Sequence, residues 1–433
     1  MVSKLSTSFS FRYRIILFGP FHSRPYDEGL YVRCGILRRA ATARRKTHED
    51  RATTHGGSLT WHSQSESNVG CKAQYILEQP DEYLKGQGDT RVRAIVLRAF
   101  GPPENLKLEE VPTPLPQARE ALIRVGAVSV DLYQMVSRRG GEVRMKLPRI
   151  MGNGIAGTLA NLGPGVEGLS PGERVVVANN VSCGECRYCR VGRDTLCAGR
   201  RIIGSDLDGG YAEFVCVPAR DCVVLPDSVS FEEACLIPNT IGPVVKACIH
   251  TAAIRAAENV VIVGAGGGMG LHAVQAARAC GGRVIASLRS SRTAEAVHQA
   301  GADVVIYADQ SDWSEHVRQH TDGWGADVVL DFVANKGTLQ SSLAALAPAG
   351  RLVVMGYFPR GSIFETPTWV FGEERTVTGN RSARKRDVAE SLALVRDGRI
   401  KALVDKVYPL EDAVLVHKAF EAKEIVGRAV LVP

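Results

Sequence analysis

One stretch constrains this chain more than any other: Val260-Val261-Ile262-Val263-Gly264-Ala265-Gly266-Gly267-Gly268-Met269-Gly270. An unbroken β-branched run of this kind reads as a strand covered on both faces. Its glycines would let the backbone approach a pyrophosphate closely, and the helix start that follows offers N–H groups and a positive dipole end to an anion. The stretch reads A-x-G-x-x-G from Ala265 to Gly270. Ala265, Gly266, Gly267, Gly268, Met269 and Gly270 are therefore the candidate dinucleotide-binding residues. Glycine-rich turns are common on their own, so the context carries the weight. The apolar runs "RVIASLRS", "DVVIYA", "ADVVLDFVA" and "GRLVVMGYF" follow, with helical segments such as "GLHAVQAARACG" between them. This alternation implies βαβ units and a doubly wound parallel sheet.

The second strand of that sheet would end at Val284-Ile285-Ala286-Ser287-Leu288. An acid there would bind the ribose 2′-hydroxyl of NAD, but Leu288 takes its place and Arg289-Ser290-Ser291-Arg292 follows. Ser287, Arg289 and Arg292 suit a 2′-phosphate instead, so NADPH is the expected cofactor. The alternative is that both arginines are solvated residues at a helix start.

Upstream, "RAIVLRAFG", "EALIRVGAVSV", "GIAGTLANLG" and "GERVVVANN" read as short strands broken by Gly and Pro. The expected division is a mostly-β domain over 92–245, a nucleotide-binding domain over 246–390, and a return to the first domain over 391–433. Residues 1–91 differ in character. The first 51 hold eleven Lys/Arg against four Asp/Glu, which accounts for the whole net charge of +7. The globular part thus carries no nucleic-acid signature. The acid-poor start resembles a mitochondrial transit segment. It also fits a disordered tail, or an upstream stretch translated from a mis-chosen start before Val92, and that plainer reading is favoured. The expected location is the cytoplasm, or the mitochondrion if the segment is genuine. No run of roughly 18 apolar residues exists to cross a membrane.

Four of the eleven cysteines, Cys183, Cys186, Cys189 and Cys197, lie within fifteen residues as C-x2-C-x2-C-x7-C. Four thiolates on one tight loop complete a tetrahedral zinc and leave no open position for chemistry. A ferredoxin-type cluster would have three residues before its last cysteine and a proline after it. The expected metal is one structural zinc.

Together these motifs resemble the medium-chain dehydrogenase/reductase family over residues 92–433. "PRIMGNGIAGTLANLGPGVEGLSPGERVVV", the cysteine lobe, "VIVGAGGGMGLHAVQAARACGGRVIA", "GADVVLDFV" and "GRLVVMG" occur in the family's order. The resemblance implies a GroES-like catalytic domain plus a Rossmann domain, an α/β chain with its active site in the cleft between them. It also implies a homodimer or homotetramer acting on a small molecule. Zinc alcohol dehydrogenases of the family hold a catalytic metal with a Cys, the His of a G-H-E triplet and a second Cys. The matching positions here are Val128, Asn153 and Asn239, and Gly154 replaces the acid. Valine has no donor atom, and neutral amides are poor zinc ligands. Cys235 is the nearest alternative donor.

Without that Lewis acid, an activated C=C bond is the easier substrate: an enone, a quinone or an enoyl thioester. Tyr133 matches a tyrosine of zinc-free quinone reductases and is a candidate donor, as are Asn153 and Asn239. Asp131 matches an acid that orients neighbours in the zinc enzymes. Tyr133 could instead be cleft wall, and Asn239 a helix cap after Pro238. The combination of a cysteine lobe with "GNRSARKRDVAESLALVRDGRIKALV" is similar to acryloyl-CoA reductases. Two other readings stay open: a zinc alcohol dehydrogenase with unforeseen ligands, and a non-catalytic NADPH-binding protein.

Overall fold

Two large sheets, of seven and six strands, organise the computed structural model, which describes residues 90–141, 144–308, 312–356 and 372–433. The expectations for residues 1–89, a transit segment or tail, lie outside the described residues. All described residues belong to one unit, Gln79–Pro433.

The second half of the chain forms a six-stranded sheet in the spatial order Val304–Tyr307, Arg283–Leu288, Asn259–Val263, Ala326–Asp331, Leu346–Val354, Thr376–Gly379. Every neighbouring pair is parallel, for example Val260 opposite both Val284 and Val328. This is the doubly wound order, with its reversal between Asn259–Val263 and Ala326–Asp331. Ligands bind outside the strand ends at such a reversal. The helix Gly268–Ala279 packs on the sheet through Gly270, Ala273, Ala276 and Ala277, whose small side chains permit a close approach.

The first half is built around the long strand Glu120–Val130. It pairs antiparallel with Gly154–Leu162, Phe214–Pro218 and Arg428–Val432. The last of these is the C-terminal strand, so the chain ends inside its first sheet, with Ala429 opposite Val130.

Two of the expected boundaries fall inside helices. A continuous helical run, Ile237–Ile241, Gly242–Val245 and Lys246–Thr251, passes through 245–246. Ile237, Ile241, Val244, Val245, Ala247 and Cys248 are fully buried in it, in a core shared by Ala127 and Val176 of one sheet and Val260 and Ile262 of the other. Nothing breaks the run because both sheets pack against it. The helix Lys385–Arg396 likewise passes through 390–391. Among the described residues, no helix is long and apolar enough to cross a membrane.

Candidate active site

Where Glu120–Val130 ends, Asp131 caps the helix Leu132–Arg138. The Asp131 carboxylate accepts from the Gln134 N–H at 3.3 Å, and Gln134 Oε1 accepts from the Asp131 N–H at 2.8 Å. This reciprocal cap holds Asp131, Tyr133 and Gln134 on one turn. Asn153 arrives from the opposite side, immediately after Gly152. That glycine has φ +94°, and a Cβ on it would lie 2.6 Å from the Tyr211 ring and 2.9 Å from a Val128 methyl. Asn239 sits in the π-helical turn Ile237–Ile241. Such wide turns recur at functional sites. It therefore does not cap a helix.

These side chains close on one another. Asn239 Nδ2 donates to the Asp131 carboxylate and to Asn153 Oδ1, the latter at 2.7 Å. Gln134 Nε2 donates to the same Asn153 oxygen and to the Ser129 carbonyl, both at 3.0 Å. Asn239 Oδ1 accepts from Asn179 Nδ2 at 2.7 Å. Both amide hydrogens of Asn239 are thus committed inside the net, so it offers none outward, contrary to the expectation that it donates into the cleft. The Asn153 Nδ2 group donates to no described residue.

Burial pushes the Asp131 carboxyl above its usual range, against the pull of Arg428 and the Asn239 bond. Burial also raises the Tyr133 phenol, whose hydroxyl donates to Ser205 Oγ at 3.3 Å. Gly154 is dictated by packing, because any Cβ there would overlap Ser129 Oγ and the Cys235 carbonyl. Val128 is fully buried, and Cys235 directs its thiol to the Glu232 carbonyl at 3.2 Å.

At the sheet reversal, Gly264 turns with φ +78°. The N–H groups of Gly264 and Ala265 then bond the Ser287 carbonyl at 3.2 and 3.3 Å. A Cβ on Gly266 would overlap Thr293 Oγ1, one on Gly268 the Arg428 guanidinium, and one on Gly270 the Gly264 carbonyl. The loop is therefore packed as tightly as a backbone–phosphate cradle requires. Met269 follows Gly268 in the first turn of the helix. Asp331, fully buried, accepts from the Val333 and Ala334 N–H groups at 2.9 and 2.8 Å and holds the turn facing Gly264. Arg289 is exposed beyond Leu288. The Arg292 guanidinium donates to the carbonyls of Lys423 and Glu424.

The four lobe cysteines converge. Cys183 Sγ lies 3.8 Å from Cys189 and 3.5 Å from Cys197, and Cys186 lies 3.5 Å from Cys189. Tetrahedral zinc with bonds near 2.3 Å sets sulfurs about 3.8 Å apart, so the donor set fits. The backbone N–H groups of Glu185 and Cys186 draw the Cys183 thiol down to about 6, favouring thiolate. The only other metal-compatible cluster among the described residues is His250, Asp387 and Glu390. There Arg384 already pairs with Asp387.

Sequence reading missed several participants. Gln134 was legible three residues after Asp131. Arg428, Tyr211 and Asn179 were not, because each is distant in the chain and ordinary in its local setting.

Two family models match the chain, "Alcohol dehydrogenase GroES-like domain" over 117–227 and "Zinc-binding dehydrogenase" over 268–397. An NAD-dependent alcohol dehydrogenase of Sulfurisphaera tokodaii is 33% identical over 351 residues, 79% of this chain and 100% of its own. An acryloyl-coenzyme A reductase of the same organism is 31% identical over 343 residues, again 79% and 100%. The crystal structure of AibC superimposes with a TM-score of 0.76 at 36% identity, over 83% of this chain and 99% of its own.

Proposed function

This chain belongs to the medium-chain dehydrogenase/reductase family of zinc-type alcohol dehydrogenase-like oxidoreductases, and we propose that it reduces an activated C=C bond with NADPH and without a catalytic zinc. One observation carries this reading: the three positions that would ligate a catalytic metal hold Val128, Asn153 and Asn239, and the two amides bond each other at 2.7 Å. These residues do not fit zinc. They supply no thiolate or imidazole, and Asn153 Oδ1 already accepts two hydrogen bonds.

When bound, a reduced nicotinamide supplies hydride to the β-carbon of the substrate. The residues of the chain do the rest. As the new C–H bond forms, the C=C π electrons move toward the conjugated carbonyl, and negative charge collects on its oxygen. Asn153 Nδ2, the free donor of the net, is suited to hold that oxygen. Tyr133 leaves the same helical turn as Asp131 and Gln134, and its raised pKa keeps the phenol protonated at neutral pH. Turned from Ser205 Oγ to the substrate, its hydroxyl serves as proton donor to the α-carbon. The O–H bond breaks as the new C–H bond forms, which completes addition across the bond. Asn239 and Asp131 orient Asn153.

The glycine loop and the helix start at Gly268 suit the pyrophosphate. Ser287 and Arg289 would contact the 2′-phosphate, while the Arg292 guanidinium donates to the carbonyls of Lys423 and Glu424. Cys183, Cys186, Cys189 and Cys197 would hold one structural zinc. The acryloyl-coenzyme A reductase relative supports an enoyl thioester among the candidate alkenes.

The test is NADPH oxidation by the purified chain with enone, quinone and enoyl-thioester substrates beside aldehydes, together with zinc analysis. Turnover of an alkene with one tightly bound zinc per chain is expected. Two zincs, with aldehyde or alcohol turnover lost to a chelator, would instead support the zinc alcohol dehydrogenase reading.

A further inference from the structure

Two hydrogen-bond chains end on the same atom, Asn153 Oδ1, and each begins at an arginine. In the first, Arg138 Nε donates to His417 Nδ1 at 3.2 Å, and His417 Nε2 meets the Tyr211 hydroxyl at 3.1 Å. The Tyr211 hydroxyl donates to Gln134 Oε1 at 3.1 Å, and Gln134 Nε2 donates to Asn153 Oδ1 at 3.0 Å. In the second, Arg200 Nη1 donates to Asn180 Oδ1 at 2.9 Å, and Asn180 Nδ2 to Asn179 Oδ1 at 2.9 Å. Asn179 Nδ2 then donates to Asn239 Oδ1, and Asn239 Nδ2 to Asn153 Oδ1, both at 2.7 Å.

The direction of each chain follows from chemistry. A guanidinium has donors and no acceptor, so His417 Nδ1 must accept from Arg138 and Asn180 Oδ1 must accept from Arg200. Burial, with the Arg138 charge beside it, lowers the His417 pKa to about 3, so the ring is neutral and its one proton sits on Nε2. Tyr211 receives that proton's hydrogen bond and passes its own to Gln134. Each amide then has its oxygen toward the arginine end and its nitrogen toward Asn153. Arg138 is held in place by the Gly101 carbonyl and Glu421.

We propose that Arg138, His417, Tyr211 and Gln134, together with Arg200, Asn180, Asn179 and Asn239, are positioning residues that lock the Asn153 amide with its oxygen inward and its N–H group facing the substrate carbonyl. This rests on the C=C reductase reading for the role of Asn153, but not for its orientation. An isolated amide could present either end, and the oxygen end would repel the developing negative charge. Two chains of aligned bonds that converge on one oxygen polarise it in the same sense, which strengthens the outward N–H donor as well as orienting it. One member of the first chain, His417, lies 264 residues from Asn153 in the sequence, so tertiary contacts are needed to assemble it.

Two measurements test this. Tyr211→Phe, which keeps the ring and removes the link, should lower kcat roughly tenfold while leaving KM for NADPH unchanged. His417→Gln, which retains one acceptor and one donor, should stay within about threefold of the parent, whereas His417→Leu should fall with Tyr211→Phe. Unchanged kcat in Tyr211→Phe, or no difference between the two His417 variants, would overturn the proposal. The second measurement needs no substrate: in protein labelled with 15N-histidine, at pH 7, the signal absent from His417→Gln should be that of a neutral ring protonated on Nε2. A ring protonated on Nδ1, or an imidazolium, would refute the directed chain even if turnover is observed. If the parent reduces no alkene, the functional reading fails and the ring tautomer alone decides the orientation.

Discussion

Asn239→Ala separates an orienting role from a catalytic one, and its cost can be worked from the structure. The substitution removes the bond to the buried Asp131 carboxylate, the 2.7 Å bond to Asn153 and the 2.7 Å bond from Asn179. A hydrogen bond to a charged partner contributes about 1.5–3 kcal/mol and a neutral one about 0.5–1.5, and they do not simply add. A loss of about 2–4 kcal/mol follows, or a fall in melting temperature of roughly 4–10 °C for a domain of this size. The loss must also depend on pH. Burial raises the Asp131 pKa in the folded state, so folding is favoured while this acid is protonated, and that contribution is lost as pH rises through the folded value. Removing Asn239, one of the groups that lowers this pKa, raises it further and widens the range over which ionisation costs stability. The deficit of the variant should therefore be larger at pH 8 than at pH 5. Thermal unfolding of both proteins at the two pH values is the assay. Equal deficits, or a deficit below about 0.5 kcal/mol, would refute a buried, amide-supported carboxylate at Asp131.

Arg289→Ala should raise KM for NADPH roughly tenfold and leave KM for NADH unchanged; equal effects would remove the 2′-phosphate assignment. Tyr133→Phe should lower kcat by at least roughly tenfold in alkene reduction, and unchanged kinetics would leave the ring as cleft wall. Cys197→Ser should abolish tight zinc binding, read by metal analysis, and lower the melting temperature; retained zinc would mean a different ligand set. Gly270→Ala places a Cβ against the Gly264 carbonyl and 2.7 Å from Ala265 Cα, so NADPH affinity measured by fluorescence titration should fall, by roughly tenfold or more.

Much of this protein was legible in local sequence. The strand-loop-helix at Val260–Gly270 depends on neighbouring residues: β-branched runs make buried strands, and glycines permit the turn. The four cysteines are likewise close in the chain, and their spacing alone brings the thiols within reach of one ion. The absence of zinc-type ligands at Val128, Asn153 and Asn239 could also be read directly, because it concerns what those side chains lack.

What those positions do instead was decided by tertiary structure. Asn239 looked like a donor, yet a π-helical turn and the packing of two sheets point both of its N–H bonds at Asp131 and Asn153. The Arg292 guanidinium meets carbonyls more than a hundred residues away, contacts that its local sequence does not announce. Tyr211, His417 and Arg138 carried no shared local pattern, since hydrogen-bond partnership leaves no periodicity when the partners are far apart in the chain. Side-chain chemistry is local and can be read from the residue. The direction in which an amide or guanidinium spans the interior depends on which distant groups fill the remaining space, and only the folded chain determines that.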